Sequence, residues 1–87
     1  MDAKWYPLYE RLREQPSSTM EVTYTFAEID KILAPHKLPK SGREYFTYWG
    51  NWKREGSRSR AWLDAGFKMV MVDLQNEKVK FKRREEV

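Results

Sequence analysis

Apolar and polar residues follow one another along this chain with periods that predict a helix and then a strand. Near the N-terminus, Trp5, Leu8 and Leu12 recur at the spacing of one helix face. Residues 20–25 (MEVTYT) instead alternate apolar with polar side chains, which is typical of a strand that buries one face. The chain is therefore predicted to begin with a helix that is followed by a short strand.

Two capping-box patterns predict where the next helices begin. Thr25 and Glu28 have the three-residue spacing at which each side chain can bond the other residue's backbone N–H. Ser41 and Glu44 repeat this spacing before an aromatic stretch, and that helix is expected to end near Gly50. Two helices are therefore expected between the first strand and the middle of the chain.

The C-terminal third predicts a short helix and a hairpin. Ser57 or Ser59 is expected to cap a helix over the stretch RSRAWLDAG, and Gly66 is expected to close it. Residues 67–74 and 79–83 are rich in β-forming side chains, and the four residues between them favour a turn. Alternation in the last strand places valine and phenylalanine inward and lysines outward.

This order of elements predicts an α+β fold with winged-helix-like architecture. The expected order is α-β-α-α-(α)-β-β with a three-stranded antiparallel sheet, in a single domain over residues 1–87. The short helix before the hairpin is an addition to a simple winged helix. It leaves two candidates for a recognition helix, because aromatic content favours residues 41–49 and the position before the hairpin favours residues 57–65.

Composition narrows the kinds of chemistry that we expect. The 87 residues include no cysteine and a single histidine, so neither a disulfide framework nor a zinc cluster of cysteines and histidines is expected. No glycine-rich phosphate loop or cluster of acids for magnesium is present, and we expect no catalytic site, metal or cofactor. No apolar run approaches the roughly 18 residues of a membrane span, and a cytoplasmic protein is the expectation.

Positive charge is concentrated in the middle of the chain. The formal net charge is +4, and residues 37–60 carry seven positive against two negative side chains. A localised positive field favours polyanionic partners, nucleic acid first. The alternative is a solvated face of an ordinary basic protein.

The candidate nucleic-acid-binding residues are the cations of this segment, two polar neighbours and two hairpin lysines. They are Lys40, Arg43, Asn51, Lys53, Arg54, Ser57, Arg58, Arg60, Lys80 and Lys82. The cations of the segment are expected to share one exposed surface beside a helix start, where free N–H groups also favour phosphate. We expect Asn51 either to read a base edge or to fix the loop, and the hairpin lysines to contact the backbone or to protect an edge strand.

The tryptophans of this segment admit two interpretations as well. Trp49 and Trp62 are expected in the core, although exposed rings could stack on bases. Duplex DNA is the favoured partner, with single-stranded nucleic acid or RNA left open. A different class of function also fits, namely a protein-interaction module that docks an acidic partner through the same arginines and rings. Oligomeric state is left open.

Several short motifs are spread over the chain. They are YPL (6–8), TFAEI (25–29), LPKSGR (38–43), YWGN (48–51), RAWLDAGF (60–67), VDL (72–74) and the final VKFKR (79–83). With these motifs nearly the whole chain resembles a small prokaryotic domain family of unknown function. Gly42 and Tyr48 depart from that family's alanine and tryptophan. The resemblance implies a common fold and no activity.

Overall fold

The computed structural model describes residues 3–52 and 57–84. In chain order the elements are a 3₁₀ helix (Ala3–Trp5), α1 (Tyr6–Arg13), β1 (Glu21–Thr25), α2 (Phe26–Leu33), α3 (Lys40–Glu44), a second 3₁₀ helix (Phe46–Trp49), α4 (Arg60–Leu63), β2 (Phe67–Asp73) and β3 (Lys78–Arg83). This confirms the predicted α+β class with its three-stranded antiparallel sheet. The winged-helix architecture stays a prediction. Within the described ranges no helix is long and apolar enough to cross a membrane.

The sheet has the strand order β1-β3-β2, so β3 is central and pairs antiparallel with both neighbours. Phe81 lies opposite Val22 on β1 and Met69 on β2, and all three side chains face the helices. Since successive side chains of a strand point to opposite faces, Lys80 and Lys82 lie on the outer face, as predicted. The outer face is therefore the one that carries charge.

The core is built largely from aromatic rings between the sheet and the helices. Trp49 stacks on Phe26 at a centroid distance of 5.9 Å, and Trp62 lies 5.2 Å from Phe81. Both tryptophans are fully buried, which confirms the prediction that they belong to the core. Each such ring buries a large area, so a chain of this length can form a dense core with few residues.

The capping box at the start of α2 is present as predicted. The Glu28 N–H donates to Thr25 Oγ1 at 3.1 Å, and the Thr25 N–H donates to Glu28 Oε1 at 2.8 Å. These two bonds satisfy N–H groups that the first helical turn leaves without backbone partners. The chain can therefore pass from β1 into α2 without an intervening loop.

The predicted helix over residues 41–49 is wrong. The α-helix ends at Glu44, and Tyr45 is extended. No side chain caps the helix at its N-terminus, and the carboxylate of Glu44 pairs with Lys40 instead. The physical reason for the break is the indole of Trp49, whose Nε1–H donates to the carbonyl of Gly42 at 2.8 Å. A continuous helix would use that carbonyl for its own backbone bond and would not deliver the indole to the core.

The short helix before the hairpin is confirmed, and Ser59, one of its two predicted cap residues, occupies the N-cap position. Its side chain makes no capping bond, because the hydroxyls of Ser57 and Ser59 donate to the carbonyls of Trp52 and Gly50. These bonds fasten α4 to the chain that precedes it. Gly66 follows the helix with a φ of +90°, in the left-handed region where glycine is favoured, as predicted.

Candidate nucleic-acid interface

Arg43 links three parts of the molecule. Its guanidinium donates to the Asp30 carboxylate of α2, and Nη1 lies 3.9 Å from Oε2 of Glu77 in the hairpin turn. The other oxygen of Asp30 accepts the N–H of Leu38 at 2.8 Å. Arg43 was predicted to bind nucleic acid, and in this structure acids of α2 and the turn already balance its charge.

Arg58 is held by the segment that precedes Trp49. Its Nε donates to the carbonyl of Tyr48 at 2.9 Å, and its guanidinium carbon lies 3.7 Å from the centroid of the Tyr48 ring. This is a cation–π contact, which attracts the charge without neutralising it. Arg58 therefore keeps a positive charge at a half-buried position.

Two of the other predicted cations form ion pairs with acids four positions further along the chain. Arg60 Nη2 lies 2.8 Å from Oδ1 of Asp64, which directly follows α4, and Lys40 Nζ lies 3.8 Å from Glu44 Oε1 on α3. Pairs of this i,i+4 kind contribute only a few tenths of a kcal/mol, so a phosphate could replace the acid at modest cost. Lys53 and Arg54, also predicted contacts, lie outside the described residues.

Asn51 binds the edge of the sheet. Its side-chain N–H donates to the carbonyl of Met69 on β2, and its oxygen accepts the N–H of the same residue, both at 2.9 Å. The oxygen also accepts Nε1–H of Trp62 at 3.0 Å. Asn51 thus pairs with edge strand β2 as a neighbouring strand would, which matches the expectation that it fixes the loop.

Four lysines lie on the outer face of the hairpin, and we call them the lysine face. They are Lys68 on β2 and Lys78, Lys80 and Lys82 on β3. Lys82 lies directly opposite Lys68 on one side and Glu21 of β1 on the other. Nζ of Lys80 lies 3.7 Å from the carboxylate of Glu21, whereas Lys68 and Lys82 form no ion pair with another described residue.

The two arginines that follow these lysines, Arg83 and Arg84, bind backbone carbonyls of other segments. Arg83 donates to the carbonyls of Thr19 and Pro16 at 2.9 and 3.0 Å, and its guanidinium carbon lies 4.6 Å from the Phe67 ring centroid. Arg84 donates to the carbonyl of Leu63. The fold therefore uses these guanidinium groups as internal clamps, and the hairpin charge that faces outward comes from lysines.

Acidic groups near the lysine face are few among the described residues. Asp73 lies opposite Lys78, but its carboxylate accepts both the backbone N–H and the side-chain amide of Asn76. These bonds lower the pKa of Asp73, so it stays ionised. With Glu21 it offsets two of the four lysines, and the face keeps a positive excess at the Lys68 and Lys82 end.

Three large rings are exposed between α3 and α4. Tyr45 is 60% exposed, Phe46 67% and Trp52 55%. The Trp52 ring packs on Gly50, where an added Cβ would lie 2.4 Å from the indole. Trp52 is thus held in place while it presents more than half of its surface to solvent.

A family model matches residues 5–84, which is nearly the whole chain. The chain belongs to the family described as Domain of unknown function (DUF7662). Membership in DUF7662 confirms the predicted relationship to a family without an established activity. Comparison of the chain with curated proteins and with solved structures finds no match.

The sequence-based prediction for this DUF7662 domain omitted two lysines of the lysine face, Lys68 and Lys78. Alternation along β3 places Lys78 outward with Lys80 and Lys82. Alternation along β2 could have placed Lys68 outward as well, but a bulge between Met69 and Met71 interrupts that alternation. Within residues 3–52 and 57–84, no group of three or more acidic or histidine side chains is placed to hold a metal ion.

Proposed function

We propose that this domain is a non-catalytic nucleic-acid-binding module that contacts duplex DNA through the lysine face. The observation that carries the proposal is the placement of Lys68 directly opposite Lys82 on neighbouring strands. Like charges in directly opposed positions destabilise a sheet, and an anion lying between them would remove that cost. The DNA backbone is a continuous source of such anions.

The spacing of the lysines supports a backbone contact. Alternate residues of a strand are about 7 Å apart, so Lys78, Lys80 and Lys82 form a row along β3. Lysines in a row can track successive phosphates without reading the bases, so they favour affinity over sequence specificity. In a winged-helix arrangement, which the strand order β1-β3-β2 supports, such a hairpin would be the wing that lies against the duplex.

The cations of the middle segment take a secondary place in this proposal. Arg58 is the best of them, because its charge is not balanced by an acid among the described residues. Lys53 and Arg54 remain predicted contacts. Arg43 is bound to two acids, and Asn51 has its oxygen and one N–H in use, so we assign both to supporting the fold.

The experiment is a salt titration of DNA binding with matched charge variants. Fluorescence anisotropy of a labelled duplex should give an affinity that falls steeply from about 50 to 200 mM salt. Each phosphate contact contributes about 0.9 to the slope of log affinity against log salt, so Lys82→Gln should lower the slope by about one and Lys68→Gln/Lys82→Gln by about two. Lys37→Gln removes the same charge at an exposed position in the loop between α2 and α3.

The control should leave the slope nearly unchanged. If Lys37→Gln lowers the slope as much as Lys82→Gln, the domain binds DNA only through its net charge, and the lysine face is not the site. Absence of binding at about 50 mM salt would end the proposal.

The exposed rings favour a second candidate, a protein-interaction module. Tyr45, Phe46 and Trp52 are the kind of side chains that anchor protein interfaces, and single-strand stacking would use them equally well. Phe46→Ala, with the ring already in solvent, should leave the fold intact and the duplex affinity unchanged. Loss of a nuclease-resistant partner in this variant would favour a protein interface, and loss of single-strand affinity would favour stacking.

A further inference from the structure

A cavity of about 230 Å³ lies at the junction of α1, β1 and α2. Its lining comes from Arg11 on α1, Tyr24 on β1, and Glu28, Lys31 and Ile32 on α2. The three α2 residues share one helix face, because they stand three and four positions apart. Tyr24 points to the inner side of the sheet, where its ring lies 6.4 Å from Phe81, so the cavity and the lysine face are on opposite sides.

The hydroxyl of Tyr24 is the unusual group in this lining. The side chain is only 7% exposed, and the hydroxyl has no hydrogen-bond partner among the described residues. A buried hydroxyl without a partner is costly, and such groups in a native fold call for an explanation. Phenylalanine would fill the same space without that cost, so packing alone does not account for a tyrosine at this position.

The charged side chains of the lining are two cations and one acid. Arg11 and Lys31 form no ion pair with another described residue. Glu28 is the one acid in the lining, and one of its oxygens accepts the Thr25 N–H in the capping box. Bonds from Thr25 lower the pKa of Glu28, so it stays ionised and the lining carries one net positive charge.

The protonation state of Tyr24 suits a donor. Burial raises the pKa of its hydroxyl, the nearby Glu28 raises it further, and Arg11 opposes the shift. The hydroxyl therefore keeps its proton at neutral pH and can donate it to an acceptor. Because Arg11 and Lys31 belong to the same lining, a negatively charged acceptor would be favoured over a neutral one.

We propose that this cavity binds a small oxyanion, a free phosphate or carboxylate group, that pairs with Arg11 and Lys31 and accepts a hydrogen bond from Tyr24. The volume is below the roughly 300–1,000 Å³ of pockets for drug-sized ligands, so the ligand is a small metabolite or a single ionic group. Ile32 supplies an apolar wall for a short carbon skeleton. The site is independent of DNA binding through the lysine face.

The test is an amide NMR titration with inorganic phosphate in one arm and acetate in another, at constant ionic strength. Saturable shifts should centre on the amides of Tyr24, Lys31 and Ile32. Tyr24→Phe should weaken the binding at least about tenfold, because it removes a hydrogen bond to a charged acceptor. Its Tm should equal or exceed that of the parent protein, since the change removes a buried hydroxyl without a partner.

Two further variants test whether the anion binds in this cavity. Tyr45→Phe makes the same chemical change on an exposed ring outside the cavity and should leave phosphate and acetate affinity unchanged. Arg11→Gln, at an exposed position on α1, should weaken the binding without unfolding the domain. Shifts that do not saturate with either anion, or equal affinities in the parent and Tyr24→Phe proteins, would overturn the site.

A duplex titration separates this site from the DNA interface. A phosphate of the DNA backbone offers the same chemistry as a free phosphate, but Tyr24→Phe is expected to leave duplex affinity unchanged. A parallel loss of DNA affinity in Tyr24→Phe would overturn the assignment to a free oxyanion. Failure of DNA binding with retained phosphate binding would count against the proposed function alone.

Discussion

The arginines around α3 and α4 and the lysines of the hairpin carry the same charge in different surroundings. Arg43 and Arg60 each lie beside a carboxylate, and Arg58 lies on the ring of Tyr48. Lys68 and Lys82 lie opposite each other on the outer face of the sheet. The difference shows that a cation's availability to a ligand depends on the groups that the fold places next to it.

The chemistry of the two side chains explains part of this contrast. The guanidinium group is planar, offers several fixed donors and is weakly hydrated, so it can serve carbonyls, carboxylates and rings within a small domain. The ammonium group of lysine is a compact and strongly hydrated charge that favours exposed positions. Arginines here hold segments together, whereas Lys68 and Lys82 stay exposed on the outer face of the sheet.

The largest expected effect comes from Asn51→Ala in the middle segment. The change leaves the indole N–H of Trp62 and both backbone groups of Met69 without their present partners. We expect the free energy of unfolding to fall by about 2–3 kcal/mol, since each buried group left unpaired costs about 1–3 kcal/mol and water can reach Met69. Urea denaturation measures this change.

A measurement of DNA affinity tests the alternative role of Asn51, in which it contacts a base. If Asn51→Ala lowers duplex affinity while the midpoint of urea unfolding stays the same, Asn51 reads a base and does not hold the loop. That result would also indicate that the middle segment, residues 37–60, makes the main contacts with DNA.

An intermediate effect is expected for Arg43→Gln. The variant leaves the half-buried carboxylate of Asp30 with the Leu38 N–H but without its cation. We expect a loss of about 1–2 kcal/mol in the free energy of unfolding, below the loss for a fully buried pair because solvent reaches both side chains. Lys40→Gln removes an exposed pair as the control and should cost at most about 0.5 kcal/mol.

Equal and small losses in Arg43→Gln and Lys40→Gln would show that Arg43 is as available to a ligand as an ordinary surface cation. A selective loss of DNA affinity in Arg43→Gln, with the free energy of unfolding unchanged, would also show that Arg43 is available to bind DNA.

The smallest effect, and one of opposite sign, is expected for Lys68→Glu. The change turns the like-charged pair with Lys82 into an opposite-charged one, so the free energy of unfolding should rise by about 0.2–1 kcal/mol. Duplex affinity should fall in the same protein. Lys68→Gln should relieve the repulsion with a smaller gain, and thermal unfolding together with anisotropy would measure both properties.

A stability gain in Lys68→Glu without any loss of duplex affinity would separate the repulsion from DNA binding. The opposed lysines would then be explained by protection of the exposed sheet against aggregation.

Local patterns were sufficient for much of the fold. The spacing of Leu8 and Leu12 predicted the buried side of α1, and Thr25 with Glu28 predicted the start of α2. The break after Glu44 was not predictable in this way, because it depends on the bond from Trp49 to the carbonyl of Gly42 inside the core. Helix propensity is a weak signal that such tertiary contacts override.

The candidate site was predictable only in part, for a related reason. Outward placement of Lys80 and Lys82 followed from alternation, but the bulge in β2 concealed Lys68. The ion pair of Arg43 joins residues 13 positions apart, and the bonds from Asn51 to Met69 span 18 positions. No local pattern indicates that such distant residues will meet.

The sequence by itself determined the α+β class, the aromatic core, the α2 cap and the excess of positive charge, because these follow from neighbouring residues and from composition. Tertiary structure alone decided which cations are paired, that Asn51 binds the sheet edge, and that Tyr24 lies buried beside Arg11. Each of these depends on packing that brings distant segments together, and the free energy of a charge or a hydroxyl depends on the neighbours that such packing supplies.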